Sequence, residues 1–281
     1  MARGFVRIMS DTTISILLPT RGRTEQLDKS VSSLLYLAAE PEKIQWLFGF
    51  DNDDIDSFNW FQENTLPKIE NSGGRYSCLS FEPMGYVALH KYVNKLASYA
   101  TGEWFVFWND DAVMQTHGWD TEIKKHTDEF CLQAFNTHNR HPYSIFPIVP
   151  KEWYNLIGHL SLHQLNDAWL SQIAWMLDIV KQIPVEVLHD RADLTGNNKD
   201  ETFAKRIVFE GNPDDPRDFN YRSNRLLRYD EANKIAKYLI EEKDYKLEHW
   251  RDVCAGKAGV WSKMIVADVN NHLAQYKTGI N

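Results

Sequence analysis

The chain has 281 residues, 43% hydrophobic and 25% charged, which excludes a disordered polymer and fits one large globular domain, alone or with a small appendix. A formal net charge of −8 argues against a general nucleic-acid binder, which needs a basic face, but leaves room for a small anionic ligand held by a few arginines or a metal. No apolar run approaches the ~20 residues of a transmembrane helix, and the opening MARGFVRIMSDTT lacks the features of a secretory signal; the three distant cysteines, Cys78, Cys131 and Cys254, read as reduced thiols of a cytoplasmic protein.

In chain order, ISILLP (14–19) is a short apolar run ending in proline and reads as a buried strand. After TRGR, Leu27, Val31, Leu34 and Leu35 recur at helical spacing, with Thr24 as the N-cap. IQWLFGF (44–50) is a second strand that stops at DNDD, and a helix follows over about 56–69. SCLSFEP (77–83) is a weaker third strand. GYVALHKYVNKLASYATG is a helix closed by Gly102, and EWFVFW (103–108) is a fourth strand running into NDD. Strands alternating with helices predict a parallel sheet covered by helices. Ligands of such sheets bind beyond the carboxyl ends of the strands, where this chain places TRGR, DNDD and NDD.

The second half is less regular. SIFPIVPKEWYNLIG holds an apolar stretch broken by Pro147 and Pro150. LNDAWLSQIAWMLDIV has helical spacing through Trp169, Ile173, Met176 and Leu177, with Asn166 or Asp167 at its N-terminal end. IPVEVLH (183–189) is a strand ending at His189, followed by the polar loop DRADLTGNNKDET. GNPDDPRDF (211–219) is the linker candidate. Two amphipathic helices follow, over 229–242 and 260–276.

A carboxylate pair beside an Asn is a hard-oxygen set suited to Mg²⁺ or Mn²⁺ shared with phosphate oxygens. The bland alternative is that Asp110 and Asp111 only cap a turn. There is no GxxxxGK[ST] and no GxGxxG, so P-loop and dinucleotide readings have no support.

From Ile14 to about Phe203 these spaced motifs resemble the A-fold glycosyltransferases, and within them the family 2 nucleotide-sugar enzymes. ISILLPTRGR is similar to the family's opening strand and turn and places Pro19, Thr20, Arg21 and Arg23 at the nucleotide. FGFDNDD resembles the second strand with its acidic end, where Asp51 is expected at the base and Asp53 at the ribose. NKLASYATGEWFVFWNDD resembles the run into the DxD metal motif and adds Asn94, Asn109 and Asp110 to the nucleotide site and Asp111 to the metal. It departs from the family in having Asn109 at the first DxD position and Val93 where an Arg is frequent, so Lys91 or Lys95 is a possible substitute. The resemblance makes Asp167 the catalytic base, against the alternative of a helix cap. It makes His189 a further metal ligand, against the alternative of a structural histidine.

The resemblance therefore implies an α/β fold: a single Rossmann-like A-fold domain over 1–210, with a mostly parallel central sheet flanked by helices. Its nucleotide-binding half is expected at about 1–115 and its acceptor half at about 116–210, with a linker and C-terminal helical extension over 211–281. It implies a Mn²⁺- or Mg²⁺-dependent enzyme moving a sugar from a UDP-sugar to a glycan, glycolipid or protein, by single displacement with inversion; in the retaining alternative Asp167 binds the acceptor. Trp153, Tyr154, Trp169 and Trp175 are candidates for sugar stacking. The compact size fits a soluble enzyme and is compatible with a viral source. Two rival readings stay open, a sugar-phosphate nucleotidyltransferase and a non-catalytic nucleotide-sugar-binding protein.

Overall fold

The structure, a computed structural model, describes residues 13–137, 144–190, 212 and 214–277. The opening residues, the polar loop beyond Asp190, and Gly211 and Pro213 of the linker candidate lie outside the described residues.

Strands β1 (Ile14–Thr20), β2 (Ile44–Asp51) and β4 (Trp104–Phe107) are buried almost throughout. A strand covered on both faces reads as a continuous apolar run, which is why these three are visible in the sequence. β2 pairs in parallel with β1 and with β3 (Arg75–Phe81), and β1 pairs in parallel with β4. The connections are α1 (Thr24–Leu37), the pair α2 (Ile55–Trp60) and α3 (Leu66–Asn71) joined by a π-turn over Phe61–Thr65, and α4 (Leu89–Ala97). Arg23, not Thr24, stands at the N-cap of α1.

Beyond β4 the sheet becomes mixed. Strand β5 (Ala112–Met114), α5 (Trp119–Lys124), β6 (Leu132–Thr137), β7 (Ile148–Pro150), α6 (Lys151–Ile157), α7 (Asn166–Leu177) and β8 (Val180–His189) follow in turn. β7 runs antiparallel to β4 and β6, β5 antiparallel to β8, and β6 parallel to β8. The spatial order is β3-β2-β1-β4-β7-β6-β8-β5. The sequence pattern does not announce β5, β6 or β7. Two of them are only three residues long, too short for a period of two to show.

Alternation along β1 divides the core. Ile14, Ile16 and Leu18 face a layer built from α1, α3 and α5 (Val31, Leu34, Ile69, Trp119), while Leu17 faces α4, α6 and α7. The same second layer takes in α8 (Arg222–Lys243), α9 (Glu248–Cys254) and α10 (Val260–Lys277), whose Ile235, Leu239, Trp250 and Ile265 are buried with Trp169 and Ile173. Complete burial of Ile235 and Leu239 stabilises by roughly 1.5–3 kcal/mol each. The C-terminal helices thus share a core with the sheet.

Gly102 does not close α4. The helix ends at Ala97 with Ser98 as its C-cap. A Cβ on Gly102 would lie 2.7 Å from Ser15 N and 2.8 Å from Ser15 Oγ, so the glycine permits the chain to pass close over β1.

Candidate active site

The carboxyl ends of β1, β2 and β4 open onto one cleft of about 460 Å³. Its walls include Pro19, Thr20, Arg21, Arg23, Asp51, Asn109, Asp110, Asp111, Asp167 and His189. Ten positions separated by up to 170 residues in the chain are gathered because each stands at the end of a strand or the start of a helix on one edge of the sheet.

The NDD turn is held from several sides. Trp108 Nε1 donates to Ser30 Oγ at 2.7 Å, and Ser30 Oγ donates to Asn109 O at 3.1 Å, so a serine of α1 fixes the chain leaving β4. Thr20 Oγ1 donates to Asp110 Oδ2 at 2.7 Å, and Arg23 Nη1 donates to Asp110 Oδ1 at 2.7 Å. Both Asp110 oxygens are therefore engaged by protein. Burial pushes Asp110 up to about 6, against the pull of the Arg23 guanidinium.

Asp111 stands apart from this. Arg23 Nη1 lies 3.5 Å from its Oδ2 and His189 Nε2 lies 3.4 Å from its Oδ1. The register Ala112↔His189 between β5 and β8 brings the histidine there, and Asp190 N donates to Asp111 O at 2.8 Å. Burial works to raise Asp111, but His189 and Arg23 outweigh it and hold the carboxyl below its ordinary value. Asp111 Oδ1 and His189 Nδ1 are buried without a hydrogen-bond partner among the described residues. The 3.4 Å contact runs through the other ring nitrogen, Nε2, and sets the imidazole beside a carboxylate oxygen that it does not satisfy.

That geometry can be tested against a divalent cation. No cluster of three or more His, Cys, Asp or Glu side chains able to hold a metal occurs among the described residues. Mg²⁺ and Mn²⁺ sites commonly use one or two protein ligands, with phosphate and water completing the shell. An orphaned carboxylate oxygen beside an imidazole fits that arrangement, and Asp111 and His189 are the residues that would hold the ion.

At the β2 end, Asp51 Oδ1 accepts from Tyr92 OH at 2.5 Å and Asp51 Oδ2 accepts from Arg21 Nη1 at 2.8 Å. Arg21 also forks onto Asp53, donating from Nη1 to Oδ1 and from Nη2 to Oδ2. The hydrogen bonds to Asp53 and Asp51 raise Arg21 above its ordinary value, and the same pairing lowers Asp53. Burial and the Asp51 carboxylate push Tyr92 up to about 12. Tyr92 has no signal in the sequence, since a tyrosine on the buried face of an amphipathic helix looks like core. Asp53 does not line the cleft and reaches it only through Arg21.

Asn94 is not in the cleft wall. Its Nδ2 donates to Ser161 O at 2.7 Å and its Oδ1 accepts from Leu160 N at 2.8 Å, so it pins the loop before α7. Lys91 and Lys95 are not in the wall either. Asp167 is the second residue of α7, while Leu165 holds the N-cap position without any side-chain cap. Asp167 is thus no cap, and its carboxylate makes no hydrogen bond or ion pair with a described residue.

The four stacking candidates lie elsewhere. Trp153 and Trp169 are completely buried in the core, and Trp153 stacks on Phe130 at 5.8 Å. Tyr154 packs on Phe105, and Trp175 is at the far end of α7. None of the four lines the cleft.

No protein-family model matches the sequence, and no curated protein does. Solved structures match in shape. The S. aureus TarS 1–349 structure in complex with UDP-GlcNAc superposes with a TM-score of 0.55 at 12% identity, covering 95% of this chain and 92% of that one. The Pyrobaculum calidifontis mannosyltransferase PcManGT, in complex with GDP-Man and Mn²⁺, gives 0.53 at 12% identity, covering 95% and 82%. A longer TarS structure gives 0.52 at 10% identity, and this chain spans 43% of it. The fold is that of the A-fold glycosyltransferases. The cleft lies on the edge where open α/β sheets bind their ligands, beyond the carboxyl ends of the strands.

Proposed function

We propose that this chain is a glycosyltransferase that takes a sugar from a nucleotide diphosphate sugar, a UDP-sugar in our reading, and passes it to an acceptor hydroxyl on a glycan, glycolipid or protein. The observation that carries the reading is the cleft itself, with an acidic corner at Asp51, the Asp111–His189 pair, and an Asp167 without a partner among the described residues, along one sheet edge. The solved structures of similar fold that hold UDP-GlcNAc or GDP-Man with Mn²⁺ support it.

Charge explains the need for a cation. Among the described residues, four carboxylates line the cleft (Asp51, Asp110, Asp111, Asp167) against two guanidiniums, those of Arg21 and Arg23. A diphosphate entering there meets net repulsion unless a divalent ion accompanies it. Asp111 and His189 would hold Mn²⁺ or Mg²⁺, which supplies charge neutralisation of the leaving diphosphate. Asp51, with Arg21 and Asp53 beside it, holds the nucleoside, Arg21 turning from Asp51 to free an acceptor for a ring N–H. Arg23 and Thr20 keep Asp110 in place, and the buried Asp111 Oδ1 is left for the cation. Asn109 offers its amide to bound water or ribose.

Asp167 serves as general base. As an acceptor oxygen attacks C1 and the C1–O bond to the diphosphate breaks, the carboxylate takes the acceptor's proton. The reaction is then a single displacement with inversion. Incubation with a panel of UDP-sugars and Mn²⁺, following free UDP, tests the proposal. Slow release even without acceptor is expected, because water replaces the missing hydroxyl. No UDP release from any sugar nucleotide, with or without acceptor extracts, would reduce the cleft to a binding site.

A further inference from the structure

Two polar side chains just ahead of Asp167 are buried with unused hydrogen-bonding capacity. Gln164 and Asn166 are each 5% exposed, and both line the cleft. Gln164 Nε2 and Asn166 Oδ1 find no partner among the described residues. Asn166 Nδ2 donates to Gln164 O at 3.2 Å, which fixes the amide and leaves Oδ1 on its other side. The loop carrying them is itself braced, since the His163 ring binds Arg217 O at 2.8 Å and Leu165 N at 3.2 Å. Buried polar groups are nearly always satisfied, and an orphaned donor and an orphaned acceptor two residues apart, both in residues that line the cleft, call for a ligand that supplies both complements.

We infer that Gln164 and Asn166 read the transferred sugar, Gln164 Nε2 donating to one sugar oxygen and Asn166 Oδ1 accepting from a neighbouring hydroxyl. The inference rests on the nucleotide-sugar reading above. Chemistry separates the sugar from the diphosphate and the cation; the base and ribose also carry both complements, but the reading above seats them at Asp51. A diphosphate offers only acceptors and satisfies Gln164 alone. A cation satisfies Asn166 alone. A hexose offers a donor and an acceptor on adjacent carbons. Position separates the donor sugar from the acceptor: C1 must lie between the diphosphate at Asp111 and the hydroxyl that Asp167 deprotonates. The hexose therefore occupies the stretch of cleft that Gln164 and Asn166 wall.

The experiment compares UDP with UDP-glucose, UDP-galactose and UDP-GlcNAc, each with Mn²⁺, by titration calorimetry on the full chain. The parent binds its preferred UDP-sugar more tightly than UDP. Gln164→Met and Asn166→Leu, close in volume, keep the parental affinity for UDP, which also shows that they fold. Each loses about tenfold in affinity for the UDP-sugar, the upper range for one neutral hydrogen bond. The inference is overturned if the UDP-sugar affinity of both variants is unchanged, if UDP affinity falls in equal measure, or if only the acceptor KM moves. A parent that binds UDP and every UDP-sugar alike overturns this inference and leaves the nucleotide site standing. A parent that binds none of them overturns the underlying reading as well.

Discussion

Thr20 Oγ1 donates a 2.7 Å hydrogen bond to Asp110 Oδ2, joining the ends of two neighbouring strands across 90 positions of sequence. Arg23 takes the other oxygen of the same carboxylate. Thr20→Val keeps the shape of the side chain and removes the donor, leaving a buried carboxylate oxygen unsatisfied. The expected cost is roughly 1–3 kcal/mol, read as a lower urea midpoint with an unchanged slope. A midpoint equal to the parent's would mean that Asp110 finds its partner elsewhere.

Metal dependence should follow the Asp111–His189 pair. UDP affinity rises when Mn²⁺ is added and drops when EDTA removes it. Asp111→Ala and His189→Ala both weaken the Mn²⁺-dependent part, and Asn109→Ala weakens it less, because Asn109 is uncharged and exposed. Titration calorimetry on the three variants decides it. If Asn109→Ala is the most damaging, the ligand assignment is wrong.

Asp167→Asn should bind UDP-sugar as the parent does and transfer at least ~100-fold more slowly, the lower end for a positioned general base. The carboxylate has no partner to lose among the described residues, so stability is expected to change little. Transfer at the parental rate would remove Asp167 from the chemistry.

His163 predicts a pH dependence of stability. Burial lowers its pKa from 6.5 to about 4, despite the upward pull of the Arg217 carbonyl. The ring must stay neutral to accept from Leu165 N and donate to Arg217 O. The unfolded chain therefore binds one more proton than the folded chain between these values. The contribution is complete above about 6.5 and is lost as pH falls towards about 4; it is on the order of 3 kcal/mol. Unfolding free energy measured at pH 7.5, 5.5 and 4.5 should show this fall, and His163→Gln should flatten it. An equal slope in the variant would assign the effect to other groups.

Glu231, on α8, accepts from His159 Nε2 at 2.9 Å and from Trp169 Nε1 at 2.9 Å. It fastens the C-terminal helices to α7, one turn from Asp167. Glu231→Ala leaves the buried Trp169 donor and the part-buried His159 donor unmatched and should destabilise by ~1–3 kcal/mol. Thermal unfolding checks this, and a shift within error would make the α8 attachment purely apolar.

The sequence alone determined the layered α/β fold and the edge that carries the site. β1, β2 and β4 are covered on both faces, so burial writes itself into them as unbroken apolar runs, and the polar residues where those runs stop must lie at the carboxyl edge of the sheet. Asp51, Asp111, Asp167 and His189 could each be named as groups at the ends of elements for the same reason.

Only the tertiary structure decided which of those groups meet, and what they do there. His189 reaches Asp111 through an antiparallel register that a three-residue strand cannot announce. Asp110 and Asp111 are adjacent and chemically identical, yet Thr20 and Arg23 engage both oxygens of the first, while Oδ1 of the second has no hydrogen-bond partner among the described residues. Asn94 has a family-like position but spends its amide on the loop before α7. Trp153 and Trp169 fill the core instead of facing sugar, and sequence cannot separate the two roles because both demand apolar surroundings. Gln164 and Asn166 look like ordinary polar residues at a helix start until burial strips their water and leaves Gln164 Nε2 and Asn166 Oδ1 without a partner among the described residues. Local pattern reports how much of a residue is covered; which atom covers it depends on chain segments far away in sequence, and that pairing carries the chemistry.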